Sequence, residues 1–162
     1  RVYESAVSYA RTFSTASESL LFMGATGLGK TLLSGCIARA VADRGYSVCY
    51  VSAGKLFSDF ETEKFRLKED GALTGEYLQT DLLIIDDLGT EMTTQFTVSA
   101  LYQIVNGRLL AAKPTIVSTN LPDTELEARY SAQIASRLLG AYTLYQFCGT
   151  DVRLLRKMES RG

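Results

Sequence analysis

Gly24-Ala25-Thr26-Gly27-Leu28-Gly29-Lys30-Thr31 matches the pattern G-x-x-x-x-G-K-[ST] at every fixed position. The apolar run Leu20–Met23 before it predicts a short buried strand, and the apolar periodicity of residues 31–44 after it predicts a helix. Glycines allow a tight turn whose N–H groups point inward, and the start of the helix adds further donors. We therefore predict that this stretch, extended to Leu32, binds the phosphates of a nucleotide. In this arrangement Lys30 reaches the β- and γ-phosphates, and the hydroxyl of Thr31 binds Mg²⁺.

The composition indicates one globular domain with a sizeable core, since 46% of the 162 residues are hydrophobic and 22% are charged. A net charge of -1 argues against a protein that coats nucleic acid through bulk charge, although it allows local basic patches. The chain contains no histidine, which excludes histidine-based catalytic triads and histidine-ligated zinc. We expect Cys36, Cys49 and Cys148 to be buried free thiols in a reducing compartment. The sequence has no apolar run of membrane-spanning length and no signal-peptide pattern, so we expect a cytoplasmic protein without a membrane partner.

Predicted helices and strands alternate along the rest of the chain. The helix after the glycine-rich stretch is expected to turn six side chains toward a core, namely Leu32, Leu33, Cys36, Ile37, Ala40 and Val41. Further strands are predicted at residues 47–52, 82–87, 114–119 and 143–147, and residues 71–75 are predicted to form a loop. Further helices are predicted at residues 2–13, 53–69, 94–111, 122–130, 131–140 and 149–158. This alternation predicts a three-layer α/β fold with a mainly parallel five-stranded sheet.

The predicted helix over residues 53–69 is rich in charges that alternate in sign. Two interpretations remain open for it. The charges form a solvated helical face, or the basic residues join nearby aromatic side chains in a nucleic-acid surface. The basic residues concerned are Lys55, Lys64, Arg66 and Lys68.

Two acidic residues end the continuous apolar run at residues 82–85, and such a run is typical of a central parallel strand. Ligands lie beyond the carboxyl ends of parallel strands, so these acids and the phosphate-binding stretch are expected to meet. Asp86 fits the acid that holds Mg²⁺, usually through water, and Asp87 is placed to orient or deprotonate an attacking water. A phosphate-binding loop alone is compatible with a kinase, a GTPase or an ATPase. The two acids at the strand end favour an enzyme that hydrolyses the bound nucleotide.

Asn120 follows another predicted strand at the same edge of the sheet. Its amide can form a hydrogen bond with the attacking water or with the γ-phosphate. The alternative is a turn-forming asparagine before Leu121-Pro122, a context that also suits this residue type.

Four motifs, in this order and spacing, resemble those of the AAA+ ATPases over nearly the whole chain. Within that class the sequence resembles the bacterial replicative helicase loaders of the DnaC/DnaI type, with the IstB transposition ATPases as close relatives. The motifs are Gly-Ala-Thr-Gly-Leu-Gly-Lys-Thr (24–31), Ile-Ile-Asp-Asp-Leu-Gly-Thr-Glu (84–91), Ile-Val-Ser-Thr-Asn-Leu (116–121) and Ile-Ala-Ser-Arg-Leu (134–138).

The resemblance implies a role for each matching residue. Lys30 and Thr31 match the Walker A motif, Asp86 and Asp87 match Walker B, and Asn120 matches the sensor 1 residue. All three catalytic motifs of the resemblance therefore fall at the predicted edge of the sheet.

Two arginines complete the implied site. Arg137 matches the arginine finger of the loaders, which acts in trans on ATP held by a neighbouring subunit and requires a ring or open spiral. The alternative for Arg137 is a surface arginine or one paired within its own chain. Residues 149–153 resemble the Gly-x-Asp-x-Arg ending of the loaders, which implies that Arg153 approaches the phosphates in cis.

The implied protein is an ATPase that binds ATP or ADP with Mg²⁺ and helps to load a hexameric replicative helicase onto single-stranded DNA. On this view residues 1–162 form a single AAA+ domain, excised from the carboxyl-terminal part of a longer protein. The helical lid and the amino-terminal helicase-binding domain are then absent. An IstB-like helper of DNA transposition is the alternative. A small-molecule P-loop kinase is disfavoured because the sequence has no arginine-rich lid.

Overall fold

Helices and strands alternate along the chain in the computed structural model, which describes residues 2–65 and 72–149. The strands in this part are β1 (Leu20–Met23), β2 (Val48–Ser52), β3 (Leu82–Leu88), β4 (Thr115–Thr119) and β5 (Thr143–Gln146). The helices are α1 (Val2–Thr12), α2 (Lys30–Ala42), α3 (Ala53–Phe65), α4 (Ala72–Gln79), α5 (Gln95–Leu110), α6 (Asp123–Arg129) and α7 (Ala132–Ala141).

The five strands form one parallel sheet in the order β2-β3-β4-β1-β5. β1 lies between β4 and β5, so that Leu20 pairs with Ile116 on one side and with Thr143 on the other. Helices α1 and α2 cover one face of the sheet, and α3 to α7 cover the other. The predicted three-layer α/β fold is therefore confirmed.

β3 shows why a continuous apolar run belongs in the middle of such a sheet. Leu82 and Ile84 are fully buried against α1 and α2, while Leu83 and Ile85 are fully buried in the cluster on the opposite face. A strand that is covered on both faces has no solvent side on which polar residues would alternate.

The loop predicted at residues 71–75 is wrong from residue 72 onward, because α4 begins there. Contacts from distant parts of the chain hold this short helix. The N–H and hydroxyl of Thr74 donate to the carboxylate of Glu63 in α3. The fully buried guanidinium of Arg108 in α5 donates to the carbonyls of Tyr77, Leu78 and Thr80 at the end of α4.

Two predictions of burial are also wrong. Leu32 and Cys36 are exposed on α2, because the buried stripe of this helix consists of Lys30, Ser34, Ile37 and Val41. All three cysteines are free as expected in the described structure, but Cys36 and Cys148 are exposed and Cys49 is only half-buried. The prediction of buried thiols therefore fails.

Some predictions fall outside residues 2–65 and 72–149. They concern the helix predicted at 149–158 beyond its first residue, together with Arg66, Lys68 and Arg153. Among the helices of the described part, none has the length and apolar character needed to cross a membrane.

Candidate nucleotide-binding site

The phosphate-binding stretch connects the end of β1 at Met23 to the start of α2 at Lys30, as predicted. All three of its glycines have backbone conformations that favour glycine, Gly27 with φ of 84°. Gly29 caps α2 with φ of 91°, a left-handed conformation that favours glycine. Gly24 has φ of 148°, and a Cβ there would lie only 2.4 Å from the carbonyl oxygen of Phe147. The loop therefore packs directly against the residue that follows β5.

The Lys30 side chain folds back into this loop. Lys30 is buried, and its Nζ donates to the carbonyl oxygens of Gly24 at 2.5 Å and Ala25 at 2.8 Å. Burial lowers the pKa of the Lys30 ammonium, and the carboxylates of Asp87 and Asp86 act in the opposite direction. A buried ammonium that has only carbonyl oxygens as acceptors gains a stronger, charge-assisted hydrogen bond when an anion enters the loop. The loop thus fits a phosphate group.

Asp86 lies at the centre of a hydrogen-bond network at the carboxyl edge of the sheet. Its buried carboxylate accepts from Ser118 Oγ at 2.5 Å and from Thr31 Oγ1 at 3.3 Å, both through Oδ1. Its Oδ2 accepts from the hydroxyl of Tyr50 at 2.7 Å. Thr31 and Asp86 present a hydroxyl and a carboxylate side by side, and these are oxygen ligands that suit Mg²⁺.

Sequence reasoning missed two members of this network, Tyr50 on β2 and Ser118 on β4. Ser118 stands out in the sequence as a polar residue within the apolar strand that precedes Asn120, and this signal was available. It is fully buried and both donates to Asp86 and accepts the backbone N–H of Asp87 at 2.9 Å. One hydroxyl therefore positions both acidic residues.

Asp87 departs from the regular strand. Between the pairs Ile85–Val117 and Leu88–Thr119, β3 contains one residue more than β4, and Asp87 has φ of 60°. Aspartate is one of the few residue types that tolerate this left-handed conformation. The local bulge leaves the Asp87 side chain exposed next to the buried Asp86. The two acids are therefore presented differently, Asp86 inside the network and Asp87 toward solvent.

Asn120 follows β4 and lines a cavity of about 460 Å³ together with Gly24 and Ala25 of the phosphate-binding stretch. Its Oδ1 is buried and finds no hydrogen-bond donor among residues 2–65 and 72–149. An unpaired buried carbonyl oxygen is costly, and a donor such as a water molecule next to the phosphates would satisfy it. The structure thus brings Asn120 together with the loop.

Glu91, the last residue of the acidic motif, connects the site to α6 and α7. Its carboxylate accepts from the N–H of Gly89 at 3.0 Å and from the hydroxyl of Tyr130. Its carbonyl oxygen accepts from the guanidinium of Arg129. The motif therefore fixes the loop after β3 against the segment that joins α6 to α7.

Arg137 lies on α7 and packs against α5. Its guanidinium donates to Asn106 Oδ1 at 2.9 Å, to the Tyr102 hydroxyl at 3.1 Å and to the Gln133 carbonyl at 3.2 Å. The guanidinium carbon also lies 4.8 Å from the centre of the Tyr102 ring. These partners belong to α5 and α7, so Arg137 is held apart from the phosphate-binding stretch, and its role in trans stays a prediction.

Fold and site together define a P-loop ATP-binding protein of the AAA+ type. The chain belongs to the family described as IstB-like ATP binding protein, whose family model matches residues 6–145.

Two kinds of relatives resemble the chain. It is 30% identical over 105 residues to a Mycobacterium tuberculosis protein named as an ATP-binding protein in an insertion sequence, covering 65% of this chain and 41% of that protein. It is 26% identical over 132 residues to the replicative helicase loader DnaC of Escherichia coli, covering 80% of this chain and 54% of the loader. The chain thus spans about half the length of the curated relatives it matches.

Solved structures confirm the fold. The crystal structure of the DnaC helicase loader superimposes with a TM-score of 0.81 at 20% identity, covering 90% of this chain and 87% of that chain. AMPPCP-bound DnaA from Aquifex aeolicus also gives 0.81 at 20% identity, covering 99% of this chain and 49% of that chain. The predicted resemblance to helicase loaders and IstB-like proteins is therefore confirmed.

Proposed function

We propose that this chain is an Mg²⁺-dependent ATPase that uses ATP hydrolysis to help place a replicative helicase on single-stranded DNA. The observation that carries the ATPase proposal is the contact between Thr31, at the start of α2, and Asp86, at the end of β3. It joins the phosphate-binding stretch to the acidic strand end, next to Asn120, whose buried oxygen has no donor within residues 2–65 and 72–149.

Nucleotide binding rests on residues 24–32. The backbone N–H groups of this stretch hold the phosphates, and Lys30 exchanges its carbonyl partners for the β- and γ-phosphate oxygens. Thr31 and Asp86 are the residues that would hold Mg²⁺, which supplies neutralisation of the phosphate charge.

Hydrolysis rests on Asp87 and Asn120. Asp87 accepts a proton from the attacking water, and Asn120 Oδ1 accepts a hydrogen bond that orients the same water. The water oxygen bonds to the γ-phosphorus while the bond from that phosphorus to the β–γ bridging oxygen breaks, which gives ADP and inorganic phosphate. The exposed, bulged position of Asp87 supports this assignment, because a base must reach the reacting water.

Replacing Lys30 tests nucleotide binding directly. We expect Lys30→Ala to weaken the affinity for a fluorescent ATP analogue by about 10- to 100-fold, since it removes charge-assisted hydrogen bonds to phosphate. Lys113→Ala is the matched control, because Lys113 also donates to a backbone carbonyl, that of Gln79, outside the site. Affinity at the wild-type level in Lys30→Ala would contradict the assigned phosphate site.

The DnaC relative supports a role in replication, because it aligns with 80% of this chain. A basic and aromatic cluster supports the single-stranded DNA partner. Lys64 at the end of α3 lies 4.9 Å from the centre of the Phe96 ring, and the neighbouring Phe65 is 69% exposed. Exposed aromatic rings beside a cation are the features on which unpaired bases stack.

A helper of DNA transposition is the second candidate, and the insertion-sequence relative, at 30% identity, favours it. Affinity pull-down with the full-length protein separates the two. Recovery of a hexameric helicase, with a preference for single-stranded DNA, supports the loader. Recovery of a transposase, with a preference for duplex DNA, supports the transposition helper and contradicts the loader.

A further inference from the structure

Tyr50 occupies the middle of β2, the edge strand next to β3. In the parallel register Tyr50 pairs with Ile84, and Ser52 pairs with Asp86. The Tyr50 side chain therefore extends two residues along the sheet to place its hydroxyl 2.7 Å from Asp86 Oδ2. Its ring is 40% exposed, so the side chain spans from the molecular surface to a buried carboxylate.

The Asp86 carboxylate depends on donors from three different elements. Ser118 of β4 and Thr31 of α2 donate to Oδ1, while Tyr50 of β2 donates to Oδ2. Thr31 is itself assigned as a metal ligand, so its hydroxyl oxygen would be engaged by the cation. Ser118 and Tyr50 then remain to fix the rotation of the carboxylate, one on each oxygen.

We propose that Tyr50 is a positioning residue for the Mg²⁺ site, which holds Asp86 Oδ2 so that the carboxylate faces the cation bound with Thr31. This role rests on the proposed ATPase function. Groups that orient metal-binding carboxylates by hydrogen bonding typically change metal affinity by about 10- to 100-fold when they are removed. Tyr50 does not touch the nucleotide in this assignment and acts through Asp86.

The chemistry of the two groups suits this role. A phenol hydroxyl is a hydrogen-bond donor, and Asp86 Oδ2 accepts from it at 2.7 Å. Loss of the hydroxyl would leave one oxygen of the buried Asp86 carboxylate without this donor.

The test compares Tyr50→Phe with Tyr77→Phe. Tyr77 is a buried tyrosine whose hydroxyl donates to Asp59 Oδ2 at 2.5 Å, so its variant deletes the same kind of hydrogen bond outside the site. Each purified protein is titrated with a fluorescent, non-hydrolysable ATP analogue in EDTA and across a series of Mg²⁺ concentrations. Thermal unfolding is recorded in parallel, so that loss of fold is distinguished from loss of metal affinity.

We expect Tyr50→Phe to raise the Mg²⁺ concentration for half-maximal enhancement of binding by about tenfold or more, with unchanged affinity in EDTA. Tyr77→Phe should leave both quantities at the wild-type value, even where its unfolding temperature falls. A wild-type Mg²⁺ response in Tyr50→Phe overturns the role of Tyr50 and leaves the ATPase proposal intact. A wild-type protein whose binding is the same in EDTA and in Mg²⁺ overturns the metal site, and the role of Tyr50 with it.

Discussion

Ser118 shows how much of the candidate site depends on one small side chain. Its hydroxyl donates to Asp86 and accepts the N–H of Asp87, and that N–H belongs to the residue with left-handed backbone at the bulge. The bulge therefore has a side-chain partner on the neighbouring strand. Without that hydroxyl both the Asp86 carboxylate and the Asp87 N–H lose a buried partner.

Ser118→Ala is expected to lower the rate of ATP hydrolysis by about 10- to 100-fold, as for other groups that orient catalytic carboxylates. It should also lower the free energy of unfolding by about 1–3 kcal/mol, because buried polar groups are left unpaired. Steady-state phosphate release and denaturant unfolding measure the two effects. Ser34→Ala is the control, since the buried Ser34 hydroxyl has no partner among the described residues. Equal rates of ATP hydrolysis in the two variants would show that Ser118 has no specific role in the candidate site.

The residues of the phosphate-binding stretch and the acidic pair could be predicted because they are contiguous in the chain. Tyr50 and Ser118 could not be placed in the same way, because their contacts depend on which strands are neighbours. With β2, β3 and β4 side by side, Tyr50, Ser118 and Asp86 lie on one face of the sheet. The period of two along each strand then brings them together, but strand order is a long-range property that local patterning does not define.

At the scale of elements, α4 shows a second limit of what can be predicted from the sequence. In the sequence, Gly71 comes directly before the residues of α4 and Gly75 lies among them. Glycine is a poor helix former, so the local sequence favours a loop. The helix nonetheless forms because Glu63 binds the Thr74 N–H near its start and Arg108 binds carbonyls at its end. Partners that are distant in sequence thus supply the capping that the segment itself lacks.

The end of α3 and the start of α5 carry the contact with single-stranded DNA that we propose as the alternative to a solvated helical face. We expect Phe65→Ala to weaken binding of a fluorescently labelled single-stranded oligonucleotide by about 1–3 kcal/mol, the usual value for one stacked base. Leu110→Ala is the control, because Leu110 is also an exposed apolar side chain, 81% exposed at the end of α5. Fluorescence anisotropy at several salt concentrations measures both. Equal affinity of the two variants would instead support the solvated helical face.

At the scale of the whole molecule, Arg137 is the residue that we propose to act on the nucleotide of a neighbouring subunit. Three of its five N–H groups donate to Asn106, Tyr102 and Gln133, which holds the guanidinium in one orientation before any subunit contact forms. A pre-oriented guanidinium loses less side-chain freedom when it meets a phosphate. This arrangement suits an arginine that acts on ATP bound by the adjacent subunit.

Mixing variants tests that arrangement. Arg137→Ala and Asp87→Asn subunits are each expected to be inactive alone, while an equal mixture should recover roughly a quarter of wild-type hydrolysis in a head-to-tail ring. In the mixture, intact sites of Arg137→Ala subunits meet intact arginines of Asp87→Asn subunits. A mixture of Lys30→Ala with Asp87→Asn should recover nothing, because both changes damage the subunit's own site. Absence of recovery at every mixing ratio would assign Arg137 a role within its own chain.

The position of β1 in the sheet has a consequence for how the protein is made. β1 and the phosphate-binding stretch are synthesised before β4 and β5, and in the described structure Leu20 pairs with Ile116 and Thr143, about 100 residues further along the chain. Contacts between residues so distant in sequence form slowly, since a long loop must close first. The nascent chain therefore carries an unpaired apolar strand until β4 and β5 have been synthesised. Because the phosphate-binding stretch and Asn120 line one cavity at the edge of this sheet, we expect nucleotide binding to require that β1 and β4 have paired.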